Sequence, residues 1–131
     1  MANRSKRKGS DFERKVRNLL QRKGFYCVRS AGSFGIFDVI GISKFAIVGL
    51  QCRLNFRISH EEICDIVNAF HRFGIYPGVA YRQKVGRKYE VMVYDACRHM
   101  HTTLDDFIMN AVKNFIRRGD YASDKYDWLL Y

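Results

Sequence analysis

Residues 45–56 read FAIVGLQCRLNF. The purely apolar stretch runs from Phe45 to Leu50, long enough for a buried strand and far too short to span a bilayer. A strand is predicted from Phe45 to about Phe56. Side chains alternate along it, so Gly49, Gln51 and Arg53 share one face, and Leu50, Cys52 and Leu54 the other. A polar pair on one face of an otherwise apolar strand implies that this face borders a cleft.

Working outward, Asp38–Ile42 reads as a short neighbouring strand, preceded by the loop AGSFGIF and a strand Phe25–Ser30. Before these, a helix is predicted from Asp11 to about Lys23. Ser10 and Glu13 have the spacing of a capping box, Phe12, Val16, Leu19 and Leu20 form the apolar face, and Gly24 ends it. Downstream, a second capping box, Ser59 with Glu62, opens a helix with Ile63, Ile66, Val67, Phe70 and Phe73 on one face and Gly74 at its end. After Pro77, strands are predicted at Val79–Gln83 and Tyr89–Tyr94, reversed by the turn KVGRK. The last helix begins near Thr103, carries the stripe Leu104, Phe107, Ile108, Ala111, Val112, Phe115 and Ile116, and stops at Arg117, Arg118 and Gly119. The predicted order is αβββαββα, an α/β mixed sheet flanked by helices. Residues 1–9 form a basic N-terminal arm, 10–119 a single domain, and 120–131 an aromatic tail.

The chain has 131 residues, enough for one domain with its own core, and 47% of them are hydrophobic, which excludes a disordered tail. Lys and Arg number 23 against 13 Asp and Glu, a formal charge of +10. A domain this basic meets a polyanion, nucleic acid first and an anionic membrane surface second. In the arm, Arg7 and Lys8 suit phosphate contacts, though a frayed soluble terminus fits them as well. No secretory signal or membrane span is read, and a cytoplasmic location is expected. The four cysteines, Cys27, Cys52, Cys64 and Cys97, form no CxxC pair and read as reduced thiols. Cys97, His99 and His101 alternate, but no fourth ligand stands at a zinc-site spacing, and His60 and His71 read as solvent- or DNA-facing. No phosphate loop, dinucleotide fingerprint or nucleophile elbow is present, so no small-molecule substrate is indicated.

Glu13, Asp38 and the Gln51–Arg53 pair follow one another as do the site residues of PD-(D/E)xK nucleases, which this layout resembles. Segment by segment the chain is similar to the archaeal Holliday junction resolvases: RKGSDFER at Arg7–Arg14, GFYCVRSAGS at Gly24–Ser33, DVIG at Asp38–Gly41 and FGIYPGVAYR at Phe73–Arg82. The resemblance implies a restriction-endonuclease-like fold, a homodimer, and Mg²⁺, replaceable by Mn²⁺, held by Glu13, Asp38 and Gln51. It implies catalytic roles for Glu13, Asp38, Gln51 and Arg53, and DNA contacts from Arg14, Arg29 and Ser30, to which Ser33 adds a possible phosphate donor. Where the family carries E-x-K, this chain carries Gln51-Cys52-Arg53. Glutamine removes one carboxylate from the ion site, and arginine replaces a compact ammonium with a rigid fork. Three functions follow: a structure-specific endonuclease on four-way DNA, a non-catalytic junction binder, or an RNA-binding protein whose aromatics stack on unpaired bases. In the loop SFGIF, Phe34 and Phe37 suit packing within the monomer as well as contact with a junction or a second subunit.

Overall fold

The computed structural model describes the backbone of residues 2–29 and 35–126, and side chains over 7–29 and 35–117. The elements are α1 (Ala2–Arg22), β1 (Tyr26–Arg29), β2 (Val39–Ile42), β3 (Ile47–Arg53), α2 (His60–Phe73), β4 (Tyr76–Val85), β5 (Lys88–Asp95), β6 (Met100–Thr103) and α3 (Leu104–Tyr126). The six strands form one sheet in sequence order. Neighbours are antiparallel except β3 and β4, which run parallel because α2 carries the chain back between them.

The mixed sheet flanked by helices is the expected α/β architecture, with one strand more than the expected order. β6 reads MHTT, and only Thr102 of its four residues is buried, so it lacks the apolar signal that marks strands in sequence. Both outer helices run longer than their punctuation suggests. α1 begins at Ala2, so Ser10 lies inside the helix and is not its cap. Arg and Lys are good helix formers, and Gly9 adds only about 1 kcal/mol of cost, so residues 2–9 continue the helix instead of forming a separate arm. α3 passes through Gly119 to Tyr126, since nothing after it, least of all a proline, breaks the helix.

The two faces of the sheet carry separate cores. On one, Phe12, Val16 and Leu20 of α1 and Phe107 and Ala111 of α3 pack on Val39, Val48, Leu50, Ala80 and Val93. On the other, Ile66 and Ala69 of α2 pack on Phe37, Val79 and Ala96. Phe37 is thus a monomer core residue, whereas Phe34 lies outside the described residues. Gly49 explains how closely the second layer sits, because a Cβ there would come within 2.7 Å of both Phe37 and Ile75. The strand that carries the polar pair is therefore gripped through its backbone.

One buried acid belongs to the frame. Asp95 accepts from the Tyr76 hydroxyl at 2.8 and 3.0 Å, from Asn110 Nδ2 at 3.2 Å, and from the backbone N–H groups of Cys97 and Arg98 at 3.0 Å. Fully engaged and removed from water, it ties β4, the β5–β6 turn and α3 together.

Candidate functional site

β3 delivers Gln51 and Arg53 to the face covered by α2, two residues apart and side by side. Gln51 Nε2 donates to the Ile36 carbonyl at 3.0 Å, and Gln51 Oε1 accepts from Arg53 Nη2 at 3.0 Å. The same Nη2 makes an ion pair with Glu62 Oε2 from the first turn of α2. Glu62 is held from its other side too. Its backbone N–H donates to Ser59 Oγ at 3.1 Å, and its Oε1 accepts from the Ser59 backbone N–H at 3.5 Å, completing the expected capping box. The hydrogen bond from Arg53 is the main reason the Glu62 carboxyl lies below its ordinary value, against a small opposing effect of burial.

Asp38 enters from the start of β2. Its N–H donates to Leu50 O at 2.9 Å and its Oδ2 accepts from Cys52 N at 2.7 Å, which clips the carboxylate to β3. Glu13 comes from α1, on the other face of the sheet. Its Oε2 accepts from Arg29 Nη2 at 3.2 Å, and that nitrogen also reaches Ser10 Oγ at 3.4 Å. Ser10 and Glu13 are three residues apart on one helix face, so the pair that resembles a capping box in sequence serves instead as a two-point seat for Arg29. Arg29 Nε is buried and has no partner among the described residues.

Cys52 marks where these groups converge. Burial pushes its thiol well above the ordinary range, the Asp38 and Glu13 carboxylates push it further, and Arg53 and Arg29 pull it partly back. It is held protonated and is no nucleophile. The structure clips Asp38 to β3 beside Arg53, while Glu13 pairs with Arg29 on the α1 side of the sheet. It does not gather the expected ion ligands into a cage. Gln51 is turned toward Ile36 and Arg53, and no group of three or more His, Cys, Asp or Glu side chains is placed to hold an ion among the described residues. A hard divalent cation favours carboxylate oxygens, and here one of two is paired with Arg29 and the third has become an amide. The residues as they stand do not fit a preformed Mg²⁺ site.

Of the expected DNA contacts, Arg7, Lys8 and Arg14 are exposed on α1, Arg14 beside Asp11 at 3.7 Å, while Ser30 and Ser33 lie outside the described residues. A shallow depression at the seam of α1 with β4 and β5 gathers Lys8, Lys15 and Arg82, the last stacked over the Tyr89 ring at 4.3 Å. Sequence reasoning did not join these three cations, because they meet only through the tertiary fold. It likewise missed Glu62 as a site residue; the signal was its place one helical turn into α2, with a second oxygen that a capping box leaves over. The histidines do not assemble with Cys97. His101 Nδ1 meets the Tyr81 hydroxyl at 2.7 Å and His99 Nδ1 meets that of Tyr94 at 3.4 Å, while burial, reinforced by Asp95, pushes the Cys97 thiol up to about 12. No helix among the described residues is long and apolar enough to cross a membrane.

The archaeal Holliday junction resolvase (Hjc) family profile matches residues 4–116. The crossover junction endodeoxyribonuclease Hjc of Methanocaldococcus jannaschii is 37% identical over 78 residues, covering 56% of this chain and 58% of that relative. The match thus spans less than two thirds of the relative's own length. The structure of Archaeoglobus fulgidus Hjc, a Holliday junction resolvase, shares the fold with a TM-score of 0.57 at 23% identity, over 69% of this chain and 74% of that one. With the profile match covering most of its length, this chain belongs to the archaeal Holliday junction resolvase family.

Proposed function

We propose that this chain binds branched DNA, four-way junctions above all, and that its Mg²⁺-dependent strand cutting is strongly weakened. The observation that carries this reading is the sharing of Arg53 Nη2 between Gln51 Oε1 and Glu62. The cation at the position of the family's lysine is neutralised from within, and the oxygen at the position of its glutamate faces that cation instead of an ion. Mg²⁺ or Mn²⁺ binding is correspondingly weak, since Glu13 is paired with Arg29 and Asp38 with the Cys52 backbone. Binding does not depend on these losses. Arg7, Lys8, Arg14 and Arg29, together with Ser30 and Ser33, contact phosphates and read the shape of the branch more than its sequence. The junction's near two-fold symmetry matches a symmetric homodimer of one nuclease-like domain per chain.

The test is a labelled synthetic four-way junction with Mg²⁺, comparing the natural protein with the double variant Gln51→Glu plus Arg53→Lys. Both proteins are expected to bind the junction far more tightly than linear duplex. The double variant is expected to cut at least ~100-fold faster, the scale of restoring one preorganised electrostatic contact to a phosphoryl transfer. Equal, rapid cutting by both proteins overturns the weakened-site reading. Absence of junction binding by the natural protein overturns the proposal as a whole.

A further inference from the structure

We infer that the part of the sheet face beyond α2, built from Phe56, Tyr81, Tyr94 and His101, is a stacking site for an unpaired nucleobase; its role at a branch rests on the function proposed above. The register places these rings beside the candidate site. Tyr81 on β4 is the partner of Arg53 on β3, and Tyr94 on β5 is the partner of His101 on β6. Tyr94 is also paired with Val79, two residues before Tyr81, so strand alternation puts Tyr81, Tyr94 and His101 on the same face as Arg53. α2 covers that face only where Ile66 and Ala69 meet Phe37, Val79 and Ala96. Phe56, Ile58 and Tyr94 pack against the margin of that core, and His101 beyond them is exposed.

The rings pack tilted or edge on face around Phe56, and His101 is the exposed member of the cluster. Phe56 has its centroid 5.1 Å from Tyr81, 5.2 Å from Tyr94 and 4.8 Å from His101, and His101 lies 5.6 Å from Tyr81 and 5.0 Å from Tyr94. Interplanar angles run from 47° to 88°, so none of these pairs stacks in parallel. The cluster is braced and remains partly open to solvent. The Tyr81 hydroxyl meets His101 Nδ1 at 2.7 Å, which fixes the ring of an exposed histidine. The other ring nitrogen, Nε2, is left to meet a base edge. The neighbouring His99 has φ 54°, a left-handed conformation rare for a residue with a side chain, in the turn where Asp95 accepts from Cys97 N and Arg98 N.

Charge selects the occupant. Arg57, which follows Phe56, is exposed and makes no ion pair among the described residues. From β3 to β6 the face spans about 14 Å at the usual strand spacing, room for a short run of single strand leaving the site. Bases within a duplex are already stacked on their neighbours and gain nothing here. An unpaired base at a branch gains a ring surface, typically worth about five- to a hundred-fold in affinity.

The experiment measures binding of the full chain to three DNAs: a fully paired four-way junction, the same junction with two unpaired thymines at the branch, and an oligothymidylate. The natural protein is expected to prefer the junction with unpaired thymines by about ten-fold. His101→Ala removes an exposed ring and is expected to abolish that preference while changing affinity for the paired junction less than two-fold; Tyr81→Phe, which keeps the ring and releases His101, is expected to reduce it. Binding to the paired junction without the preference, or a preference that survives in His101→Ala, overturns the inference and leaves the proposed function standing. If the natural protein binds neither junction, the proposed function fails; the stacking site then stands if oligothymidylate binds and His101→Ala abolishes it, and falls otherwise. Sedimentation of His101→Ala as a smaller species than the natural protein would identify the face as a contact between copies of the chain and overturn the inference.

Discussion

The Arg29–Glu13 pair joins β1 to α1, and the Arg53–Glu62 pair joins β3 to α2, on opposite faces of the sheet. The side chains of the first are 27% and 25% exposed, those of the second 36% and 39%. In the first pair the arginine keeps a buried Nε–H that donates to no partner among the described residues. In the second, one nitrogen of the arginine, Nη2, serves both Gln51 Oε1 and Glu62 Oε2. The same chemical pair thus leaves a donor available on one side of β3 and closes one off on the other. A guanidinium at this position is silenced by a carboxylate already required for the cap of α2.

The comparison is broken most severely through Asp38. In the background of Gln51→Glu plus Arg53→Lys, adding Asp38→Asn is expected to lower the cutting rate about a thousand-fold in a junction-nicking assay, since it removes a carboxylate clipped to β3 beside the restored site. A smaller loss would detach Asp38 from the chemistry. The two glutamates sharpen the contrast. Glu62→Gln retains the capping-box geometry, because glutamine serves at that position, but it releases Arg53. Junction affinity should rise several-fold, and the dependence of log affinity on log salt should steepen by about 0.9, one additional phosphate contact. Glu13→Gln should release Arg29 with a similar change of slope, yet only this variant should also remove the cutting of the double variant.

The smallest effect is on stability against pH. The Glu62 carboxyl is depressed in the folded chain, chiefly by its hydrogen bond from Arg53, so the pair contributes stability above the ordinary glutamate value of 4.5 and loses it as pH falls through the depressed one. Because both partners are over a third exposed, solvent screens the effect and it should be modest. Urea midpoints of the natural protein should fall as pH drops through this acidic window. Subtracting the curve for Glu62→Gln should isolate that contribution, and two parallel curves would show that the pair adds nothing.

The parts of the chain that signalled themselves did so through local physics. Ser59, Glu62 and Gly74 marked both ends of α2 correctly, because capping and left-handed termination are settled within a few residues. Alternation along β3 placed Gln51 and Arg53 together for the same reason. Local signals failed where a tertiary partner competed for the same atoms. Ser10 and Glu13 have the spacing of a helix start, but their oxygens serve Arg29 from a strand 16 to 19 residues away. β6 is held by its pairing with β5, and its exposed polar residues give no apolar period to read. Lys8 and Lys15 share one face of α1 at a spacing of two helical turns, but no spacing rule connects them to Arg82, which only the tertiary fold brings beside them.

The early start of α1 has one more consequence. Its first two turns hold Arg4, Lys6, Arg7 and Lys8, and no acidic residue stands in the first turn. The amino end of a helix is itself positive, and Arg4 and Lys8 fall one turn apart, so these turns form against two electrostatic penalties at once. A phosphate backbone lifts both. Helix formation at this end and association with a polyanion are then linked equilibria: each favours the other, and added salt, by screening, weakens the repulsion and the attraction together.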